Sequence, residues 1–455
     1  MNTSYFGEML NSITERGRAL LDRARDRRGD AAARSESLAE LCDELLSSRG
    51  EASGVALAGE IFAKFAELTT GPRIAFFEAL AERFGPDRAR LDAAIAAWQA
   101  APSDKTAADV HDAAEPRRQE LLRRLNLAPN GTAALVRMRE LLLDALDHRE
   151  DLAAVDADFV HLFSSWFNRG FLVLRRIDWA TPAMILEKII RYEAVHAIQS
   201  WDDLRARIDP PDRRCYAFFH PALVDEPLIF VEVALTRDIP AAVAPILSVQ
   251  RETIAPDKVK TAVFYSISNC QRGLAGVSFG SFLIKQVVEE MSRENPRLQT
   301  FVTLSPAPDF AHWLDRERRM ENSNALTPED CAALSGLDRP DWWSQPELYE
   351  PMQEAFLRAA AWFFLRARNR RGLPVDAVAR FHLGNGARLE RLNWLADPTD
   401  KGIAQSYGLM VNYLYDLEDI EKNHEAYVAG RSIAASSAVR RLLRKAAADL
   451  VPVPG

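Results

Sequence analysis

The stretch from Lys260 to Pro308, KTAVFYSISNCQRGLAGVSFGSFLIKQVVEEMSRENPRLQTFVTLSPAP, decides how this chain folds. Thr261–Ser268 is rich in β-branched and aromatic residues and reads as a strand. A loop with Gly273, Gly276 and Gly280 follows, then a helix over 282–294 and a second strand over Leu298–Leu304. In the helix Ile284, Val287, Val288 and Met291 recur at helical spacing and form its buried stripe. A strand–loop–helix–strand unit belongs to an α/β layer. A glycine loop that opens a helix can offer backbone N–H groups to an anion, and the helix dipole favours that charge. A tight turn needing glycine only for backbone geometry is the equal alternative, because neither GxxxxGK[ST] nor GxGxxG is met. Ser305 stands where the second strand ends, a usual place for chemistry. It lacks a GxSxG setting, and a serine ahead of Pro306 can also simply cap a turn.

Outward from this unit the chain divides in two. Residues 1–180 read as an all-helical bundle, a structural or oligomerising domain. Leu57, Ile61, Phe65 and Leu68 form one apolar stripe, and Ile74, Phe77 and Leu80 another. Further helices are expected over 87–101, 115–127, 132–147 and 156–175, separated by breakers such as Pro129-Asn130-Gly131. No polar constellation is visible inside this half. Residues 181–455 read as a mixed α/β catalytic domain, so the expected class is α+β. Strands are expected over 228–236, 379–383 and 388–395, and a helix over 346–368. Leu383-Gly384-Asn385-Gly386-Ala387 has the composition of a hairpin turn, which would put His382 at a strand end.

Composition narrows the function. The 455 residues are 48% hydrophobic and 27% charged, as in ordinary globular proteins, and the net charge of −8 disfavours nucleic-acid binding. Cys42, Cys215, Cys270 and Cys331 are scattered without a CxxC pair, and the eight histidines show no HExxH. No metal site and a reducing compartment are therefore expected. No run approaches the ~18 apolar residues of a membrane span. The arginine-rich first residues carry Glu8, Glu15, Asp22 and Asp26, unlike a transit peptide, so cytoplasm is the expected location. His382 is a lone histidine, read either as a packing partner or as a proton carrier. Residues 402–415, GIAQSYGLMVNYLY, could line a pocket through Asn412, Tyr413 or Tyr415 or could be aromatic core.

Five ordered runs carry a resemblance. CYAFFHPALVDEPLIFVEVALT (215–236), AVFYSISNCQRGLAGVSFGSFLIK (262–285), LQTFVTLSPAPDFAHWL (298–314), FHLGNGARLERLNWLAD (381–397) and GIAQSYGLMVNYLYDLE (402–418) together resemble malonyl-CoA decarboxylase. The resemblance implies a helical N-terminal domain followed by a catalytic domain with the acyl-CoA fold of GNAT-type acetyltransferases. It implies conversion of malonyl-CoA to acetyl-CoA and CO2 without a cofactor, by a homo-oligomer, most simply a tetramer. By the same resemblance Ser305 and His382 form the catalytic pair. Ala275, Gly276, Val277, Ser278, Phe279, Gly280 and Ser281 form the CoA-binding loop, and Tyr415 lies at the pocket wall. Ser278 stands where many relatives carry glutamate, so the Ser305–His382 pair must suffice. A GNAT-type acyl-CoA acyltransferase and a non-catalytic CoA-binding scaffold are the competing readings.

Overall fold

The computed structural model describes Glu15 and residues 37–47, 50–277 and 282–443. The chain forms two compact units. One comprises Met1–Leu172 with His220–Glu226 and Gln271–Phe279, the other Val173–Phe219, Pro227–Cys270 and Gly280–Gly455. The order of elements, helices first and a mixed sheet after, is α+β as expected.

The first unit is built on amphipathic helices. Ser37 and Glu40 form a capping box that starts Leu38–Leu46, satisfying N–H groups that a helix end leaves without partners. Glu51–Glu67 and Thr70–Glu82 bring Phe65, Phe76 and Phe77 together, with ring centroids 5.4–6.2 Å apart. The helix expected over 156–175 is shorter: it spans Ala153–Trp166, and the chain then turns to begin strand β1 at Val173. Two arginines are buried inside this unit, against the expectation of an interior without polar groups. Arg118 pairs with Asp158, and Arg139 pairs with Asp156 at 2.7 Å. Each partner lies on a different helix, so spacing along the sequence carries no trace of the pair. Burying such charges is tolerable only because each is paired and hydrogen-bonded.

The second unit is organised by one sheet of eight strands: β1 Val173–Ile177, β2 Arg213–Phe219, β3 Pro227–Thr236, β4 Thr261–Asn269, β5 Thr300–Thr303, β6 Ser305–Pro306, β7 Arg388–Asn393 and β8 Met410–Leu414. β1 to β4 run antiparallel to their neighbours, β4 and β5 are parallel, and β5, β6 and β7 all pair with β8. The parallel pair requires a crossover, which the helix Phe282–Glu294 supplies. Its predicted stripe, Ile284, Val287, Val288 and Met291, is buried. The helices Ala183–Tyr192 and Trp201–Ile208 cover β1–β3 through Ile185, Ile189, Leu204 and Ile208. Every residue of β3 but the last is buried, which explains a run that is apolar from Leu228 to Leu235 except for Glu232, whose carboxylate meets Arg207.

One expected strand is a helix. Residues 379–383 belong to the helix Ala377–Gly384, and His382 is in its last turn. The composition suits either state. Two end signals settle it: Asp376 accepts the N–H of Ala379 at 2.7 Å, and Gly386 adopts φ +83° just beyond the helix. The glycine-containing turn therefore ends a helix instead of joining two strands. A Cβ at Gly386 would sit 2.0 Å from the carbonyl oxygen of Ile420. Gly386→Ala is expected to destabilise the protein by roughly 2–4 kcal/mol, through strained backbone and a clash with main chain. An unchanged urea unfolding midpoint would contradict this.

Candidate active site

The sheet opens along the β4–β5 seam. Parallel pairing runs from Thr261↔Thr300 to Phe264↔Thr303 and stops. In β4, Tyr265 is an extra residue between Phe264, opposite Val233, and Ser266, opposite Glu232. Such a bulge bends its strand and increases its twist. The last bond across the seam is Leu304 N–H to the Phe264 carbonyl, 3.0 Å. Beyond it β4 continues to Asn269, whereas β6 pairs with Val411 and Met410 of β8. A cavity of about 280 Å3 fills the opening. Tyr265, Ser266, Ile267 and Asn269 line one side and Ser305 and Pro306 the other, while Ala377, Val378, Phe381 and His382 enter from one face of their helix. No Lys, Arg, Asp or Glu is among the described residues that line it.

Ser305 and His382, 77 positions apart, meet here. Ser305 Oγ lies 3.1 Å from His382 Nε2, and both residues are buried. The serine hydroxyl donates to Thr303 Oγ1 at 2.9 Å, and the same oxygen accepts the N–H of Tyr413 at 3.2 Å. Behind the histidine, Nδ1 lies 2.7 Å from the Tyr415 hydroxyl. The Tyr413 ring stacks on the imidazole, centroids 4.6 Å apart. Burial pushes the His382 pKa down to about 3, so the ring is neutral at physiological pH and carries a single proton.

The hydrogen bonds locate that proton. Burial holds the Tyr415 hydroxyl pKa well above its ordinary value, against the opposing pull of a side-chain bond with Asn385. The Ser305 hydroxyl gives its one proton to Thr303 Oγ1, so at the 3.1 Å contact its oxygen accepts and His382 Nε2 donates, leaving Nδ1 to accept from the Tyr415 hydroxyl. The imidazole proton then resides on Nε2 and points at Ser305 and the cavity. A histidine so arranged donates to the serine and does not deprotonate it. In this tautomer His382 is not the base that would activate Ser305 as a nucleophile.

The other predicted residues fall as follows. Tyr415 stands behind His382 and is absent from the described cavity lining. Ala275, Gly276 and Val277 form a tight turn, with φ +78° at Gly276. The N–H groups of Ala275 and Val277 are taken by the carbonyls of Arg272 and Leu274. Within its own unit this turn is clamped by Arg139, which donates to the carbonyls of Gly273 and Ala275 at 2.8 and 2.7 Å. Ser278, Phe279, Gly280 and Ser281 lie outside the described residues. Sequence reading missed Thr303 and Asn385, while Tyr413, a candidate for a pocket wall, stacks on His382. Thr303 alone left a trace, two positions before Ser305 and so on the same side of an extended chain.

Fold and cavity define an α+β enzyme acting on a small molecule. Family models described as the malonyl-CoA decarboxylase C-terminal and N-terminal domains match residues 170–452 and 84–167. The mitochondrial malonyl-CoA decarboxylase of the goose Anser anser anser is 37% identical over 354 residues, which is 71% of this chain and 69% of the relative. The crystal structure of malonyl-CoA decarboxylase from Rhodopseudomonas palustris has 60% identity and a TM-score of 0.86, covering 89% of this chain and 98% of that one. The one from Agrobacterium vitis has 56% identity and a TM-score of 0.86, covering 90% and 100%. The chain belongs to the malonyl-CoA decarboxylase family.

The proton assignment has a direct check. Nitrogen-15 NMR of the imidazole should show a protonated Nε2 and a bare Nδ1, unchanged from pH 8 down to pH 5, since a depressed pKa keeps the ring neutral throughout. A midpoint near the ordinary histidine value of ~6.5 would contradict the assignment.

Proposed function

We infer that this chain decarboxylates malonyl-CoA to acetyl-CoA and CO2, and we propose that Ser305 and His382 carry the reaction. The observation behind this is their 3.1 Å contact at the wall of a cavity with no charged group among its described lining residues. The thioester carbonyl lies β to the carboxylate, so the electron pair of the breaking C–C bond flows into an enolate oxygen. No separate electron sink is then needed, and no cofactor is part of this proposal. The bond breaks heterolytically, CO2 departs, and the enolate carbon takes up one proton.

In this reading His382 Nε2–H donates to the thioester oxygen, and the bond strengthens as that oxygen becomes an enolate. The Ser305 hydroxyl lies near the malonyl carboxylate and the carbon that is protonated. An apolar wall supports the same outcome from the other side. Among the described residues it offers the carboxylate no cation, so the charged ground state is poorly stabilised while the departing CO2 is neutral. The edge of β4 beyond Phe264, unpaired with β5, offers backbone groups to the amide-bearing arm of CoA. The loop Ala275–Ser281 is our candidate for the phosphates, on the glycine pattern of its sequence.

A transferase would need a base to deprotonate its acceptor. Among the described residues the cavity lining offers no carboxylate, and His382 faces it as a donor, which favours the decarboxylase over the acyltransferase. A scaffold would have no need of both Ser305 and His382. We further propose a homotetramer in the cytoplasm. Among the described residues no helix is long and apolar enough to cross a membrane. Light scattering at micromolar concentration should give a tetramer mass, and a monomer would refute that part.

Purified protein given malonyl-CoA alone should release CO2 and acetyl-CoA. Ser305→Ala and His382→Ala should each lower kcat roughly 10²-fold or more, the ~3 kcal/mol of one well-placed oxyanion donor. Turnover that requires an added acceptor, or variants with near-normal kcat, would overturn the assignment.

A further inference from the structure

Two carboxylates that touch neither the cavity nor each other's helix interior join the two arms of the site. Ser305 is followed by Pro306-Ala307-Pro308 and then Asp309, which begins the helix Phe310–Arg319. Two prolines in that link fix two φ angles, so the arm from Ser305 to Asp309 is stiff. His382 sits on the other arm, the helix that Asp376 begins. The arms are laced at their bases. Asp376 accepts the N–H of Ala379 in its own helix at 2.7 Å and faces the N–H of Asp309 at 3.5 Å. In return the Asp309 carboxylate accepts the N–H of Ala377 at 3.3 Å.

Each aspartate thus caps backbone belonging to the other arm, while the arm tips carry the two groups that meet at 3.1 Å. We propose that Asp376, with Asp309, is a positioning residue that sets the Ser305–His382 distance. The proposal rests on the assignment of the reaction to Ser305 and His382. A helix cap alone would need only the bond to Ala379. The reciprocal bonds between Asp309 and the His382 helix are what a cap does not require. Asp376 is almost wholly buried, and burial first, then the nearby Asp309 carboxylate, push its pKa up to about 6 against the pull of the Ala379 N–H. Asparagine keeps the oxygen that accepts from Ala379 but replaces the one facing the Asp309 N–H with a donor, so it separates the cap from the bond between the arms.

The test compares the full-length Asp376→Ala, Asp376→Asn and Ser200→Ala proteins for unfolding midpoint, kcat and KM with malonyl-CoA. Ser200 caps the helix Trp201–Ile208 through the Asp203 N–H at 3.1 Å and controls for the loss of a cap as such. Asp376→Ala is expected to lower kcat of the folded protein by roughly tenfold or more with KM little changed, since small misplacements of reacting groups are costly. Asp376→Asn keeps the cap to Ala379 but meets the Asp309 N–H with a second donor, so it should hold most of the unfolding midpoint and still lower kcat, whereas Ser200→Ala should lose stability but not kcat. Full kcat in folded Asp376→Ala or Asp376→Asn would overturn the proposal. Should Asp376→Ala fail to fold, Asp309→Ala makes the same test from the other arm, with the same loss of kcat expected and its absence fatal. Ser305→Ala and His382→Ala measured alongside separate the two failures. If they lose turnover while Asp376→Ala and Asp309→Ala do not, only the positioning claim falls; if they keep it, the catalytic pair falls first.

Discussion

The catalytic unit depends on the parting of β4 from β5 after Phe264 and Thr303. Up to that point the two strands share an ordinary parallel ladder. Past it the Tyr265 bulge turns β4 aside, and Pro306, with no N–H to give, sits where the other strand joins β8. Buried backbone groups left without partners are costly, so the opening has to be compensated locally. Part of the compensation is visible. Glu193 accepts the N–H groups of Val195 and His196 at 2.8 Å and the hydroxyl of Ser266, tying that loop to β4 just beyond the bulge. The helix bearing His382 closes the cavity from another side.

What the opening contains follows from the same economy. Five polar side chains at and behind the cavity wall form one chain of bonds, from Asn385 through Tyr415, His382 and Ser305 to Thr303. A buried network with its members satisfied is rigid, and rigidity is what a preorganised donor requires. The chain is also neutral, because burial keeps His382 uncharged. A neutral donor in an apolar cavity suits a reaction in which charge moves from a carboxylate to a thioester oxygen. A cation beside the carboxylate would instead stabilise the state that must be left.

Much of this was legible before any coordinates. The run 260–308 fixed strand, loop, crossover helix and strand, since its apolar spacing changes from period two to 3.6 and back. Ser305 and His382 were named as a pair through five ordered motifs, not through spacing, which says nothing about residues 77 apart. The helix carrying His382 was misread because Val378, Phe381 and Leu383 suit a strand as well. Asp376 and Gly386 were the overlooked end signals. The buried Arg139–Asp156 pair, Asn385 and the Tyr413 stack were illegible, because each is defined by a neighbour from another element. The bulge at Tyr265 was hidden for the same reason: it is a mismatch between two strands.

The most direct test is a crystal structure with a malonyl-CoA analogue that cannot lose CO2. The acyl carbonyl oxygen should lie about 3 Å from His382 Nε2, in place of or beside the bond to Ser305. Its carboxylate should rest against the apolar wall between β4 and the His382 helix, with no cation nearby. An acyl group held outside the β4–β6 opening, or a carbonyl facing no donor from His382, would contradict the account.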